Sequence, residues 1–319
     1  MNIFRFKKWF FDVYTSTDEY FLLFLSAISV LGKTSLFLQA NGAKKTVTGE
    51  YIQKLFYETT LELLANQDDS ISIRQGSIVF TDRTISLIID CTDFSVDLAY
   101  SSAYPVHYPM NSFSLQGPGG SGLSWNPIVL RGHVNGSASF GGAEKIQFRN
   151  DNGYADQVRS TFLPFCLPVH ELFWGRLHSG KLDLTFTVIN DSSGRKSQSK
   201  IYVIWKNRLI EFNTTNLVIH ELKTDSARSL SYPEKYTITA ENDGNRISLQ
   251  IYSHAEAVSS DFIGDTTRYG KNTIRALKFI SRNPKGIKSV ARANVRISCS
   301  QDMNVYNNLT LIDEYVCFT

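Results

Sequence analysis

Between Leu167 and Phe186 the chain reads LPVHELFWGRLHSGKLDLTF, a span holding His170, Glu171, Trp174, Arg176, His178 and Asp183. These residue types can bind a metal, move a proton or form an ion-paired surface. Read as a β-hairpin turning at Ser179-Gly180, the stretch has a countable register. His178 faces Lys181, Arg176 faces Asp183, Trp174 faces Thr185, Leu172 faces Thr187 and His170 faces Ile189. Side chains alternate across a strand. His170, Trp174, Arg176, His178, Lys181 and Asp183 therefore share one face. Phe173, Leu177, Leu182, Leu184, Phe186 and Val188 share the other, with Glu171 among them opposite Val188.

Each chemistry can be weighed on that geometry. His170 and His178 lie about 26 Å apart along one strand at ~3.3 Å per residue, too far to chelate one ion, and no HExxH is present. The spacing predicts no metal site. Arg176 and Asp183 form a cross-strand ion pair, the common fate of such residues. Glu171 is the candidate general acid. A carboxyl group on an apolar face is desolvated and its pKa is raised, as proton donation near neutral pH requires. The alternative is that Glu171 stands at the mouth of the strand and reaches water. His170 is the candidate hydrogen-bond donor beside it. His133 in LRGHVNG and His254 after Tyr252 read as solvated strand residues.

Other machinery is missing. There is no GxSxG elbow, no Cys–His signature and no GxGxxG after a strand, so hydrolytic and redox chemistry is disfavoured. The Gly-rich SLQGPGGSGLSWNPIVLRGHVNGSASFGG holds no GxxxxGK[ST]; its glycines suit bulges and corners of a curved sheet. The four cysteines, Cys91, Cys166, Cys299 and Cys317, match no metal or redox spacing and read as free thiols.

With 319 residues and 42% hydrophobic content, two domains with sizeable cores are expected. The 33 basic and 30 acidic residues form no basic run, which argues against nucleic acid as a partner. The 21 Phe, 15 Tyr and 4 Trp have two readings: strand preference, or a ligand cavity walled with rings. The apolar run YFLLFLSAISVLG is too short to cross a membrane as a helix and follows acidic residues, so it reads as a strand of a cytoplasmic protein.

Strand signals dominate the rest. KWFFDVYTSTDEYFLLFLSAISV reads as a hairpin with a polar turn at residues 15–19. TGEYIQKLFYETTLELLANQDD has neither clean period, which leaves room for a short helix. Asp243-Gly244 is the clearest type I′ turn. It places Tyr236, Ile238 and Ala240 beside Ile251, Leu249 and Ile247. Pro164 and Pro168 punctuate the middle, and the boundary is placed there, giving domains 1–163 and 164–319. The class is all-β: two antiparallel barrels or sandwiches packed together.

Three segments in order carry a resemblance. KWFFDVYTSTDEYFLLFLSAI, GSGLSWNPIVLRGHVNG and LFWGRLHSG resemble stretches of the carotenoid 1,2-hydratase-like, AttH-like superfamily. The resemblance implies two lipocalin-like β domains with a hydrophobic pocket and cofactor-free chemistry on polyenes. The superfamily includes hydratases of acyclic carotenoids, Diels–Alderases and cyclases of natural-product biosynthesis. Its hydratase pattern has His-x-Trp on one strand and Tyr-x-Asp on the next, with the Asp as proton donor. Trp174 matches the Trp, but Leu172 stands at the His position, and Thr185 and Thr187 face them in place of Tyr and Asp.

The reading that follows is a cofactor-independent cyclase, pericyclase or isomerase for a lipophilic, unsaturated biosynthetic intermediate. Glu171 and His170 are the candidate catalytic residues. Trp174, Trp125, Arg176 and Tyr252 are the candidate ligand-binding residues. The alternatives are a hydratase of an isoprenoid C=C bond and a non-catalytic carrier of a lipophilic ligand.

Overall fold

The computed structural model describes residues 3–15, 19–45, 52–67, 69–106, 113–141, 145–163, 167–191, 197–225, 230–261, 284–299 and 302–318. Cys166 and Pro164 lie outside them. The chain divides into two compact units, Met1–Leu163 and Pro164–Thr319. Each is a curled antiparallel sheet, so the all-β, lipocalin-like class expected from the sequence is what the chain adopts.

The first unit contains β1 (Phe4–Tyr14), β2 (Tyr20–Val30), β3 (Lys33–Lys45), β4 (Ile52–Leu61), β5 (Leu63–Asn66) and β6 (Ser70–Ile73). It continues with β7 (Gly76–Phe80), β8 (Thr84–Cys91), β9 (Phe94–Ser102), β10 (Phe113–Gln116), β11 (Gly122–Phe140) and β12 (Ile146–Ser160). The strand order is β4-β3-β2-β1-β12-β11-β9-β8-β7-β6-β5, with β10 against β11. The second unit contains β13 (Glu171–Ser179), β14 (Leu182–Asn190), β15 (Ser197–Trp205), β16 (Arg208–Phe212) and β17 (Thr215–Asp225). It closes with β18 (Leu230–Asn242), β19 (Asn245–Asp261), β20 (Pro284–Cys299) and β21 (Asp302–Phe318), in the order β16-β15-β14-β13-β21-β20-β19-β18-β17. In both, the first strand pairs with the last, and the next three run outward from it.

Alternation builds the cores. Trp9, Phe11 and Val13 of β1 and Phe21, Leu23 and Leu25 of β2 fill the interior of the first unit. Phe173 and Leu177 of β13 and Leu182, Leu184, Phe186 and Val188 of β14 do the same in the second. At Asp243-Gly244 both residues have positive φ (+47° and +79°), as a type I′ turn requires, and the pairing is the expected one.

Two expectations are corrected. The stretch left open to a helix forms strands β4 and β5. β4 is an edge strand: Leu55 and Tyr57 pack inward while Phe56 stays 54% exposed, so apolar residues on both faces hide the period. The β13–β14 hairpin turns at Gly180-Lys181, not Ser179-Gly180. His178 faces Asp183, Arg176 faces Thr185, Trp174 faces Thr187, Leu172 faces Ile189 and Glu171 faces Asn190. Ser179 Oγ donates to Leu182 O at 3.3 Å across this turn, and His178 Nδ1 closes on Asp183 Oδ1. The shift of two residues preserves both faces but dissolves the expected Arg176–Asp183 register pair.

One bulge occurs twice. On β12, Asn150 has φ +58° and its N–H donates to Asn135 Oδ1 on β11 at 3.0 Å. On β21, Asn308 has φ +56° and its N–H donates to Asn294 Oδ1 on β20 at 2.9 Å. Asparagine tolerates the left-handed region, and the neighbouring amide satisfies the displaced donor.

Candidate functional site

The sequence candidates divide between the two units. In the second, Glu171 lies on the core-facing side of β13, as counted. It is not an isolated carboxylate. Its Oε1 accepts from Tyr315 Oη at 2.8 Å and its Oε2 from Asn190 Nδ2 at 2.8 Å. Burial, followed by this carboxylate, pushes the Tyr315 phenol well above its ordinary value. A second pair stands nearby: Tyr236 Oη donates to Asp313 Oδ1 at 2.5 Å, and burial holds Tyr236 up still more than its carboxylate partner does. The Phe173 ring lies between the two, 5.2 Å from Tyr315 and 5.6 Å from Tyr236. This network binds Glu171 into the core of the unit.

His170 is exposed and precedes β13. Its backbone N–H donates to Asn190 O and its carbonyl accepts from Phe318 N–H, both at 2.8 Å, so it closes the end of the sheet. Trp174 and Arg176 lie on the face of β13 turned away from the core, and both are buried. Tyr252 lies on the outward face of β19, half-buried, with the Lys235 ammonium 5.4 Å from its ring. His133 is exposed. Among the described residues no three His, Cys, Asp or Glu side chains gather as metal ligands would.

The first unit holds a cluster that the sequence reading did not find. β12 places Tyr154 and Asp156 on the face turned away from the core, beside Phe10 and Asp12 of β1 and Trp125 of β11. Trp125 Nε1–H and Tyr154 Oη–H both donate to Asp156 Oδ2 at 2.9 Å. Asp12 Oδ1 accepts the Tyr154 N–H at 3.1 Å, and the Asp12 carbonyl accepts Tyr100 Oη at 3.2 Å. Asp12 and Tyr154 are 0% exposed, Asp156 and Trp125 4%. Rings surround the acids: Phe10 lies 6.2 Å from Tyr154 and 4.9 Å from Phe24.

Gly153, next to Tyr154, lets the strands approach. A Cβ there would collide with Val134 Cγ2 and lie 2.8 Å from the Tyr100 ring. The chemistry is specific. With two donors on Oδ2, the Asp156 carboxyl group is held in one orientation. Rings beside an acid can hold a developing carbocation.

Trp125 followed on the next strand by Tyr154-Ala155-Asp156 reproduces the Trp and Tyr-x-Asp order implied by the resemblance. The sequence reading sought that order after Trp174, where the structure puts Thr187 and Ile189. The signal was present: Trp125 was already a candidate, and Tyr-x-Asp stands on the following strand. The His of the pattern is absent here too, since Leu123 holds its place.

No family model matches the sequence, and no curated protein is significantly similar to it. Solved structures share its fold. CghA in complex with Sch210972 superposes with a TM-score of 0.65 at 8% identity, covering 99% of this chain and 89% of that one. A protein assigned as AttH from Nitrosomonas europaea gives 0.58 at 12% identity, over 99% and 93%. Kievitone hydratase from Nectria haematococca gives 0.58 at 9% identity, over 98% and 89%. The likeness is one of fold, and that fold is the one the sequence resemblance pointed to.

Proposed function

We propose that this protein is a cofactor-independent enzyme that cyclises or isomerises a lipophilic, unsaturated substrate, with Asp156 as its proton donor. The observation that supports this reading is the convergence of Trp125 and Tyr154 on one oxygen of the buried Asp156 carboxyl group. The reaction balances without a co-reactant. Asp156 gives its proton to a C=C bond, and a second C=C attacks the carbocation and closes a ring. A proton then leaves the adjacent carbon, restoring a double bond and the acid. Phe10, Phe24 and Trp125 supply the ring faces that stabilise the cation, and binding holds the reacting carbons together.

A second reading is hydration, in which water captures the same cation. The Tyr-x-Asp order and the shared fold with kievitone hydratase favour it. Leu123 at the His position weighs against it, because an apolar side chain cannot orient water. A non-catalytic carrier is the reading from another class.

Pseudoionone, an acyclic conjugated ketone that closes to ionone on protonation, separates the three when incubated with the purified protein in deuterated water. A product of unchanged composition carrying one solvent deuterium supports cyclisation. A product heavier by one water establishes hydration, and ligand recovered unchanged and unlabelled establishes a carrier. Unlabelled ionone would remove Asp156 as proton donor and leave a concerted reaction.

A further inference from the structure

Asn41 lies on β3, on the same outward face as the acid cluster. The register places Asn41 beside Leu22, Leu22 beside Asp12 and Asp12 beside Tyr154, one row across four strands. The Asn41 side chain is 4% exposed, and its Nδ2 has no hydrogen-bond partner among the described residues. An amide N–H₂ carries two donors, and leaving them unmade in a buried place is costly. Buried polar groups are nearly always satisfied, so this one calls for an acceptor other than the described residues.

We infer that Asn41 is a substrate-binding residue whose Nδ2 donates to a carbonyl oxygen of the ligand. This rests on the function proposed above and narrows its substrate. Three strand spacings of ~4.8 Å separate Asn41 from Tyr154, about 14 Å along the sheet. A molecule that meets both is elongated, with a carbonyl at one end and its reacting double bonds at the other. Leu22, Phe24 and Phe10 lie on the same face between them, with Asp12 in the row next to Tyr154. Asn41 therefore selects unsaturated carbonyl compounds over hydrocarbons and sets which double bond reaches Asp156.

The test compares pseudoionone with β-farnesene, an acyclic polyene without a carbonyl, by calorimetry on wild-type protein and Asn41→Leu. Wild type binds the ketone about tenfold tighter, the worth of one hydrogen bond of about 1.4 kcal/mol. In Asn41→Leu the ratio falls to about twofold or less, an expectation from the same hydrogen-bond argument. The infrared carbonyl stretch of bound pseudoionone is lowered in wild type and restored in the variant. Leu keeps the branched shape of Asn and removes its unmet donors, and a circular dichroism spectrum matching wild type shows that Asn41→Leu is folded. Equal affinities in wild type or an unaltered preference in Asn41→Leu each overturn the assignment. If the assignment falls while labelled ionone still forms, the acid chemistry stands without it. If neither compound binds, the function beneath both is refuted.

Discussion

The indole N–H of Trp125 reaches Asp156 diagonally. Trp125 faces Val158 in the β11–β12 register, and Asp156 faces Pro127, yet Nε1 donates to Oδ2 at 2.9 Å. Pro127 has no N–H, and the register shifts just beyond it, between Pro127 and Val129. The diagonal neighbour lies within the reach of long side chains across a sheet. The carboxyl group is thereby held by its own sheet.

Asp156→Asn should keep the fold, because the amide oxygen still accepts from Trp125 and Tyr154, while removing the proton. Turnover of pseudoionone should fall by about 10²–10⁴-fold, the usual worth of a general acid. Trp125→Phe and Tyr154→Phe should fall less, and the double variant should cost less than the product of the two, since both act through one oxygen. Steady-state rates with a circular dichroism control for folding check this.

Glu171 should behave as a structural acceptor. Glu171→Leu strands the Tyr315 hydroxyl and the Asn190 amide and should destabilise by about 1–2 kcal/mol. Glu171→Gln retains an acceptor and should leave pseudoionone turnover unchanged. Urea denaturation and rate measurements on the pair decide. A large rate loss in the folded Gln variant would return Glu171 to the mechanism.

Burial and their carboxylate partners hold the Tyr236 and Tyr315 phenols above the unfolded value of about 10. The folded state resists giving up these protons, so their contribution is complete below pH ~10. It is lost as pH rises beyond that, when the unfolded chain alone ionises. Urea midpoints should be flat from pH 8 to about 9.5 and drop above it. Tyr236→Phe and Tyr315→Phe should each make that drop shallower.

Gly175 faces Phe186, whose ring covers the site a Cβ would take. Gly175→Ala should destabilise by about 1–3 kcal/mol through overpacking. Adding Phe186→Leu should recover part of that loss, giving a non-additive double-mutant cycle by chemical denaturation.

Why some features were legible in the sequence and others were not has a physical basis. The Asp243-Gly244 hairpin was read in register because its turn residues demand positive φ at both positions. At the β13–β14 hairpin the turn residues were less selective, and a shift of two residues leaves every side chain on its original face. Hydrophobic pattern could not distinguish the two registers. Glu171 was placed on the correct face, but its hydroxyl and amide partners come from Tyr315 and Asn190, one of them 144 residues away. Asp156 was missed for a related reason. Along Tyr154–Gln157 every residue is buried, whichever side it faces. Alternation is informative only where one face meets solvent. The motif of the resemblance is also met by Trp125, Tyr154 and Asp156, on strands that a search starting from Trp174 did not reach.

The paired asparagine bulges give the two units a common frame of reference. Asn135 with Asn150 and Asn294 with Asn308 form the same device on the last two strands of each unit, within the same strand path. The two units thus share a strand path and a bulge at the same place in it. Counted from the bulge, Tyr154 and Asp156 of the first unit correspond to Ile312 and Glu314 of the second. Phe10 and Asp12 then correspond to Trp174 and Arg176 through the pairing of first and last strands. The first unit carries a tyrosine and an aspartate where the second carries isoleucine and glutamate, so two sheets of one plan present different chemistry at the same place.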